Sequence, residues 1–136
     1  MKTLIALLAV VALVASAAPA VAQTVVNPQK VEFTASADHA TVIEGQAFVA
    51  KYELRVYLQG GTTVLVKQDL GKPAPAQTTN QISVPLALVG LPLSPTVKYI
   101  GVVYAMGPYG EAGSSASNPF MLVGPPAAPS NPVVSR

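Results

Sequence analysis

Cysteine and tryptophan are absent from the 136 residues, histidine occurs once, and only 10% of the chain is charged. Without cysteine there can be no disulfide, thiolate metal site, thiol nucleophile or lipidated cysteine. A lone histidine, His39, cannot supply the ligand set of a zinc site. Its neighbour Asp38 is badly placed to orient it for a nucleophile, and no G-x-S-x-G turn is present, so His39 is expected to hold a turn or a cap. Calcium needs only carbonyls and carboxylates, but Glu32, Asp38, Glu44, Glu53, Asp69 and Glu111 are scattered singly. The stretch GPYGEAG lacks the Lys-Ser/Thr ending of a phosphate loop. These absences point away from an enzyme, a metal site or any cofactor. The lysines and arginines are dispersed among acids, which argues against the basic stripe of a nucleic-acid binder.

What is present begins with an export signal. Lys2 precedes an apolar run from Leu4 to Ala15, and the small residues of Ala20-Val21-Ala22 predict cleavage before Gln23. A membrane anchor is the alternative, but the run from Leu4 to Ala18 falls short of the roughly 20 apolar residues of a spanning helix. Residues 1–22 are therefore expected to be removed, leaving a protein with no membrane segment, either extracellular or periplasmic. The remainder is one domain by size, long enough to bury roughly two thirds of its unfolded surface.

Short apolar runs then alternate with turn residues, as in an all-β sandwich or barrel. KVEFTA alternates, with Val31 and Phe33 on one face. KYELRVYLQ sets Tyr52, Leu54, Val56 and Leu58 against Glu53, Arg55, Tyr57 and Gln59. Gly60-Gly61 predicts a two-residue primed hairpin pairing Tyr57 with Val64 and Arg55 with Val66, which places Leu65 on the core face. Pro85 restricts the run QISVPLALV to an edge or a bulge. The run from Tyr99 is the next strand, GPYGEAGSSASNP a loop, and FMLV the last strand. The tail, 124–136, has Pro125, Pro126, Pro129 and Pro132 and is expected to be extended or disordered.

Leu93, Pro95 and Tyr99, continuing through Gly101 and Val103 to Ala105, resemble the strand F corner of a fibronectin type III domain. The glycines and serines from Gly107 to Ser117, before Pro119 and Phe120, resemble that family's approach to strand G, and the Tyr52 strand resembles its strand C. The resemblance covers roughly residues 25 to 123 and implies a seven-stranded immunoglobulin-like β-sandwich, with sheet A-B-E facing sheet C′-C-F-G. The domain is assigned to 23–123. The family's buried strand B tryptophan is missing; Phe33 is the nearest candidate, and Ala35 to Ala50 is a long connection in its place. Physically, the corner buries the Tyr99 ring while its hydroxyl reaches backbone.

With Tyr99 inward, Ile100, Val102 and Tyr104 face outward. Beside Tyr57, Val64 and Val66 they would form an apolar face on the order of several hundred Å². This is the candidate partner face; the alternatives are cover by the connection from Leu70 to Asn80 or by the stems of Arg55 and Lys67. Tyr109 is a candidate loop contact. The resulting expectation is a secreted, non-catalytic module for protein binding, self-association, adhesion or extracellular assembly. A carbohydrate-binding or spacer accessory module is the alternative, weakened by the absence of tryptophan.

Overall fold

The computed structural model describes residues 23–136, so the expected signal segment, 1–22, lies outside the described residues. Among these there is no helix and there are ten strands: β1 (Val25–Val26), β2 (Lys30–Thr34), β3 (Val42–Ile43), β4 (Gln46–Ala47), β5 (Lys51–Leu58), β6 (Val66–Gly71), β7 (Gln81–Pro85), β8 (Tyr99–Gly107), β9 (Gly110–Gly113) and β10 (Phe120–Met121). A six-stranded sheet runs β1-β10-β8-β5-β6 with β9 also on β8, β2 and β7 form a second sheet, and β3 with β4 a separate ribbon. The arrangement is all-β and consistent with a β-sandwich. Its strand number exceeds the expected seven because the long connection before β5 folds into the ribbon and the expected loop after β8 contributes β9; the first strand, expected on the smaller sheet, joins the larger one instead.

The core follows the alternation read from the sequence. Tyr52, Leu54 and Val56 of β5 are buried, as are Tyr99, Gly101 and Val103 of β8. From the smaller sheet, Ile82 is buried and Val31, Phe33 and Val84 pack onto the same cluster. Burying a large side chain of this kind contributes about 1.5–3 kcal/mol. Phe33, half-buried, lies against Tyr52 with ring centroids 5.0 Å apart. Gly101 is dictated by this packing, since a Cβ there would stand 2.9 Å from Leu54 Cδ1. Leu58, expected on the core side, is exposed because the chain turns away immediately after it.

The hairpin after β5 is not the one predicted. Gly61 N–H donates to the Leu58 carbonyl, so the turn is centred on Gln59 and Gly60, and only Gly60 has positive φ (+78°). A primed turn needs positive φ at its first central residue, which Gln59 does not adopt. The loop therefore lengthens, and β6 joins with Val66 opposite Val56 and Lys67 opposite Arg55. That one-residue slip exchanges faces: Val66 packs against the core, and Leu65 is exposed. A tight turn with positive φ at both positions occurs instead at Glu44 (+49°) and Gly45 (+77°), between β3 and β4.

Two further differences concern strand ends. The segment expected to be a loop after β8 returns at once, through Pro108-Tyr109, into β9. β7 pairs only with β2 and ends at Pro85, opposite Lys30. The hydrogen-bonded positions of β2 are the odd-numbered ones, because the Gln29 carbonyl accepts from Leu86 N–H and Ala35 N–H donates to the Asn80 carbonyl. The donor that Pro85 lacks would point away from β2, which is why proline is tolerated there.

Candidate functional site: a sheet face and an open edge

The corner is built around Tyr99, whose ring is buried and whose hydroxyl donates to the Pro92 carbonyl at 3.3 Å. Leu93, however, is 63% exposed, and it is Leu91 and Val97 that pack onto the core. Pro95 is exposed beside Ser94, whose N–H donates to the Leu122 carbonyl and ties the corner to the chain after β10.

On the outer face of the larger sheet, Tyr57 pairs with Ile100, Arg55 with Val102 and Glu53 with Tyr104. Four of the six candidate face residues thus come together. Val66 does not, for the register reason given above, and Val64 lies in the preceding loop. Nor is the face bare. The Arg55 guanidinium lies 3.9 Å over the Tyr104 ring. It donates from Nη1 and Nη2 to the two Glu111 carboxylate oxygens at 3.0 and 2.7 Å, and from Nε to Glu53 at 2.8 Å. The Arg55 and Glu53 side chains are only 12% and 13% exposed. These bonds raise the Arg55 pKa, that to Glu111 most, and Arg55 in turn holds Glu111 below the usual carboxylate range. Tyr104 also covers Gly113, its cross-strand partner. Every guanidinium nitrogen has a carboxylate partner, so cover by the Arg55 stem is the alternative that this geometry matches.

His39 is a packing residue. Its ring stacks on Tyr52 at 5.7 Å, and its Nδ1 lies 2.8 Å from the Tyr52 hydroxyl, which also accepts from Ser36 N–H at 3.1 Å. Burial, and secondarily Lys72, lower the His39 pKa. Tyr109, at the turn between β8 and β9, is exposed and rests against Phe48 at 5.8 Å.

Sequence reasoning missed a cleft of about 640 Å³ between the two sheets. One wall is β2. Lys30, Glu32 and Thr34 line it together with Val31 and Phe33, so the wall is the strand's edge rather than either face. Because the odd positions bond to β7, the N–H and C=O groups of Lys30, Glu32 and Thr34 point to this open edge, where no described strand pairs with β2. The floor includes Leu54, Gly101, Val103, Ala105 and Phe120.

The opposite wall is the serine segment from Ser114 to Asn118. Here the ladder to β8 is made partly by side chains. Val103 N–H donates to Ser114 Oγ at 3.1 Å and Gly101 N–H to Ser117 Oγ at 2.9 Å. Each serine's own N–H donates to the carbonyl of the same β8 residue. The wall therefore carries no bulky group.

The edge is open because β1 belongs to the other sheet. Val25 and Val26 pair in parallel with Phe120 and Met121. Asn27, at φ +50°, then turns the chain towards β2, its side chain accepting from Val123 N–H (2.8 Å) and donating to the Val123 carbonyl (3.1 Å). The dipeptide Asn27-Pro28, a turn signal, is the local cue that two strands rather than one precede Ala35.

Among the described residues no group of three or more His, Asp or Glu side chains is placed to hold a metal ion. Comparison with known proteins finds no family model, no curated protein and no solved structure that matches the chain.

Proposed function

We propose that this protein is an exported, non-catalytic β-sandwich module, fibronectin type III-like in topology, that binds protein by accepting an extended segment along the free edge of β2. Adhesion or extracellular assembly is the purpose such a module serves. The strand order supports this reading in that β8 lies between β5 and the β9–β10 pair, as F lies between C and G, and β2 pairs with β7 as B with E; β1 departs from it by joining β10 rather than β2. Export is supported by the basic residue, apolar run and small-residue ending before Gln23.

One observation carries the binding reading: three residues in register present unused backbone donors and acceptors at the mouth of an apolar cleft. Strand addition draws affinity from such main-chain bonds and specificity from pockets that take alternate side chains. Small Ala105 on the floor, facing a wall of serines, leaves room for such side chains.

The test is titration of isotopically labelled protein with a panel of short peptides of alternating apolar and polar residues, followed by amide spectra. Binding should protect the Lys30, Glu32 and Thr34 amides and be lost in Glu32→Pro, which removes one edge donor without touching the β7 ladder. Binding that leaves those amides unprotected, or no binding across the panel, would refute the reading.

A further inference from the structure

The tail after β10 has the composition of a strand donor. It leaves the folded body at Val123, which Asn27 holds, and passes Gly124 against the Leu93 side chain. Pro125, Pro126, Pro129 and Pro132 then stiffen it, and Val133 and Val134 stand 86% and 97% exposed. A proline-rich spacer rises about 3.1 Å per residue, so the stretch from Gly124 to Asn131, whose φ of +50° turns the chain, spans on the order of 22 Å. The five residues of β2 cover about 17 Å. Phe120 and Val25 already line one end of the cleft, so a stiff spacer rooted three residues beyond Phe120 carries the valines past their own cleft. In the structure they touch no part of their own body.

Resting on the strand-addition reading above, we infer that the occupant of the cleft is the tail of a second copy, with Val133 to Ser135 adding to the free edge of β2. Pro132 cannot donate to a ladder, so pairing starts after it. In an added strand, residues opposite Lys30, Glu32 or Thr34 share their outward orientation, and the residues between point into the cleft. Two adjacent valines meet this requirement in either register: one bonds to the edge while the other enters the apolar floor. Four prolines restrict the conformations of the free spacer, which limits the chain entropy lost on docking. Each copy offers one tail and one cleft. The contact is heterologous, so repetition gives closed rings, the reciprocal two-copy exchange being the smallest, or open chains.

The decisive experiment is hydrogen exchange of the whole protein at low and high concentration, beside the double variant Val133→Asp, Val134→Asp and with mass followed by light scattering. Both valines are free of contacts in the body, so the variant keeps its fold. At high concentration the Lys30, Glu32 and Thr34 amides should exchange at least about tenfold more slowly while the mass grows, and the double variant should lose both effects. Unchanged exchange at every concentration would overturn the inference. So would protection that persists in the double variant, which assigns the cleft to another segment, or protection independent of concentration, which assigns it to the protein's own tail. Retention of panel-peptide binding in any of these cases would leave the strand-addition reading standing; its loss would remove both.

Discussion

The two lateral edges of the sandwich solve the same problem in opposite ways. Between β6 and β7 the gap is bridged by one side chain: Gln68 donates to the Pro85 carbonyl at 3.0 Å and accepts from Ala87 N–H at 2.9 Å, standing in for a missing ladder. Between β2 and the segment from Ser114 to Asn118 no hydrogen bond among the described residues reaches across, and the cleft remains. The difference lies in side-chain length and direction. Gln68 is on the core-facing side of β6, opposite Leu54, and is long enough to cross. Ser114 and Ser117 are short, and their hydroxyls are already engaged with β8. A sheet edge is closed by a side chain of the right parity and reach, and left open where those positions serve another ladder.

Substitutions can break this contrast, beginning with β2 itself. Phe33→Pro removes a ladder donor to β7 together with the ring on Tyr52, and should cost more than about 3 kcal/mol in urea denaturation. Glu32→Pro, one residue away, removes only an edge donor and an exposed ion pair with Lys30, and should stay within about 1 kcal/mol of the parent. Equal losses would mean that the edge of β2 is not free.

Ser117→Ala leaves the buried Gly101 N–H without its acceptor, at a cost of about 1–3 kcal/mol. On the closed side, Gln68→Ala removes two exposed bonds and should cost less, about 1–2 kcal/mol. Thermal unfolding of the two variants side by side checks that order; a larger loss in Gln68→Ala would make the bridge, rather than the serine ladder, the stronger tie.

The smallest effect concerns pH. Arg55 holds Glu111 below its ordinary value of 4.5, so the contribution of this pair is complete above that pH and is lost as pH falls through the lowered value. Glu111→Gln should lower the neutral plateau slightly and flatten the acid limb of stability against pH, so that variant and parent converge at low pH. An identical acid limb in the variant would show that the pair does not couple to folding.

Much of this was legible in the sequence. Strict alternation placed Tyr52, Leu54 and Val56 inward, the run from Tyr99 gave β8 and its two faces, and Pro85 marked an edge strand. Each of these rests on local pattern. The hairpin register was lost because Gly60-Gly61 permits a primed turn without requiring one. Gln59 N–H bonds instead to the carbonyl of Lys98, 39 positions along the chain. The cleft was invisible for a similar reason: it exists because Val25 and Val26 chose Phe120 and Met121 over β2, a long-range selection that no local period encodes. Alternation along β8 sets Ile100, Val102 and Tyr104 on one face, but the ion pair of Arg55 with Glu111 depends on β9, a strand hidden in what reads as a glycine loop.

The parallel pairing of β1 with β10 also has a mechanical consequence. A pull on the chain before Val25 and after Val123 runs along these two strands in opposite directions. Val25 N–H to Pro119, Asn27 N–H to Met121 and both Asn27 side-chain bonds to Val123 are then loaded together in shear rather than peeled one by one. Extension from the two ends of the body would meet its first resistance at this clamp, before any force reaches the core, and Asn27→Ala would lower the force at which it yields.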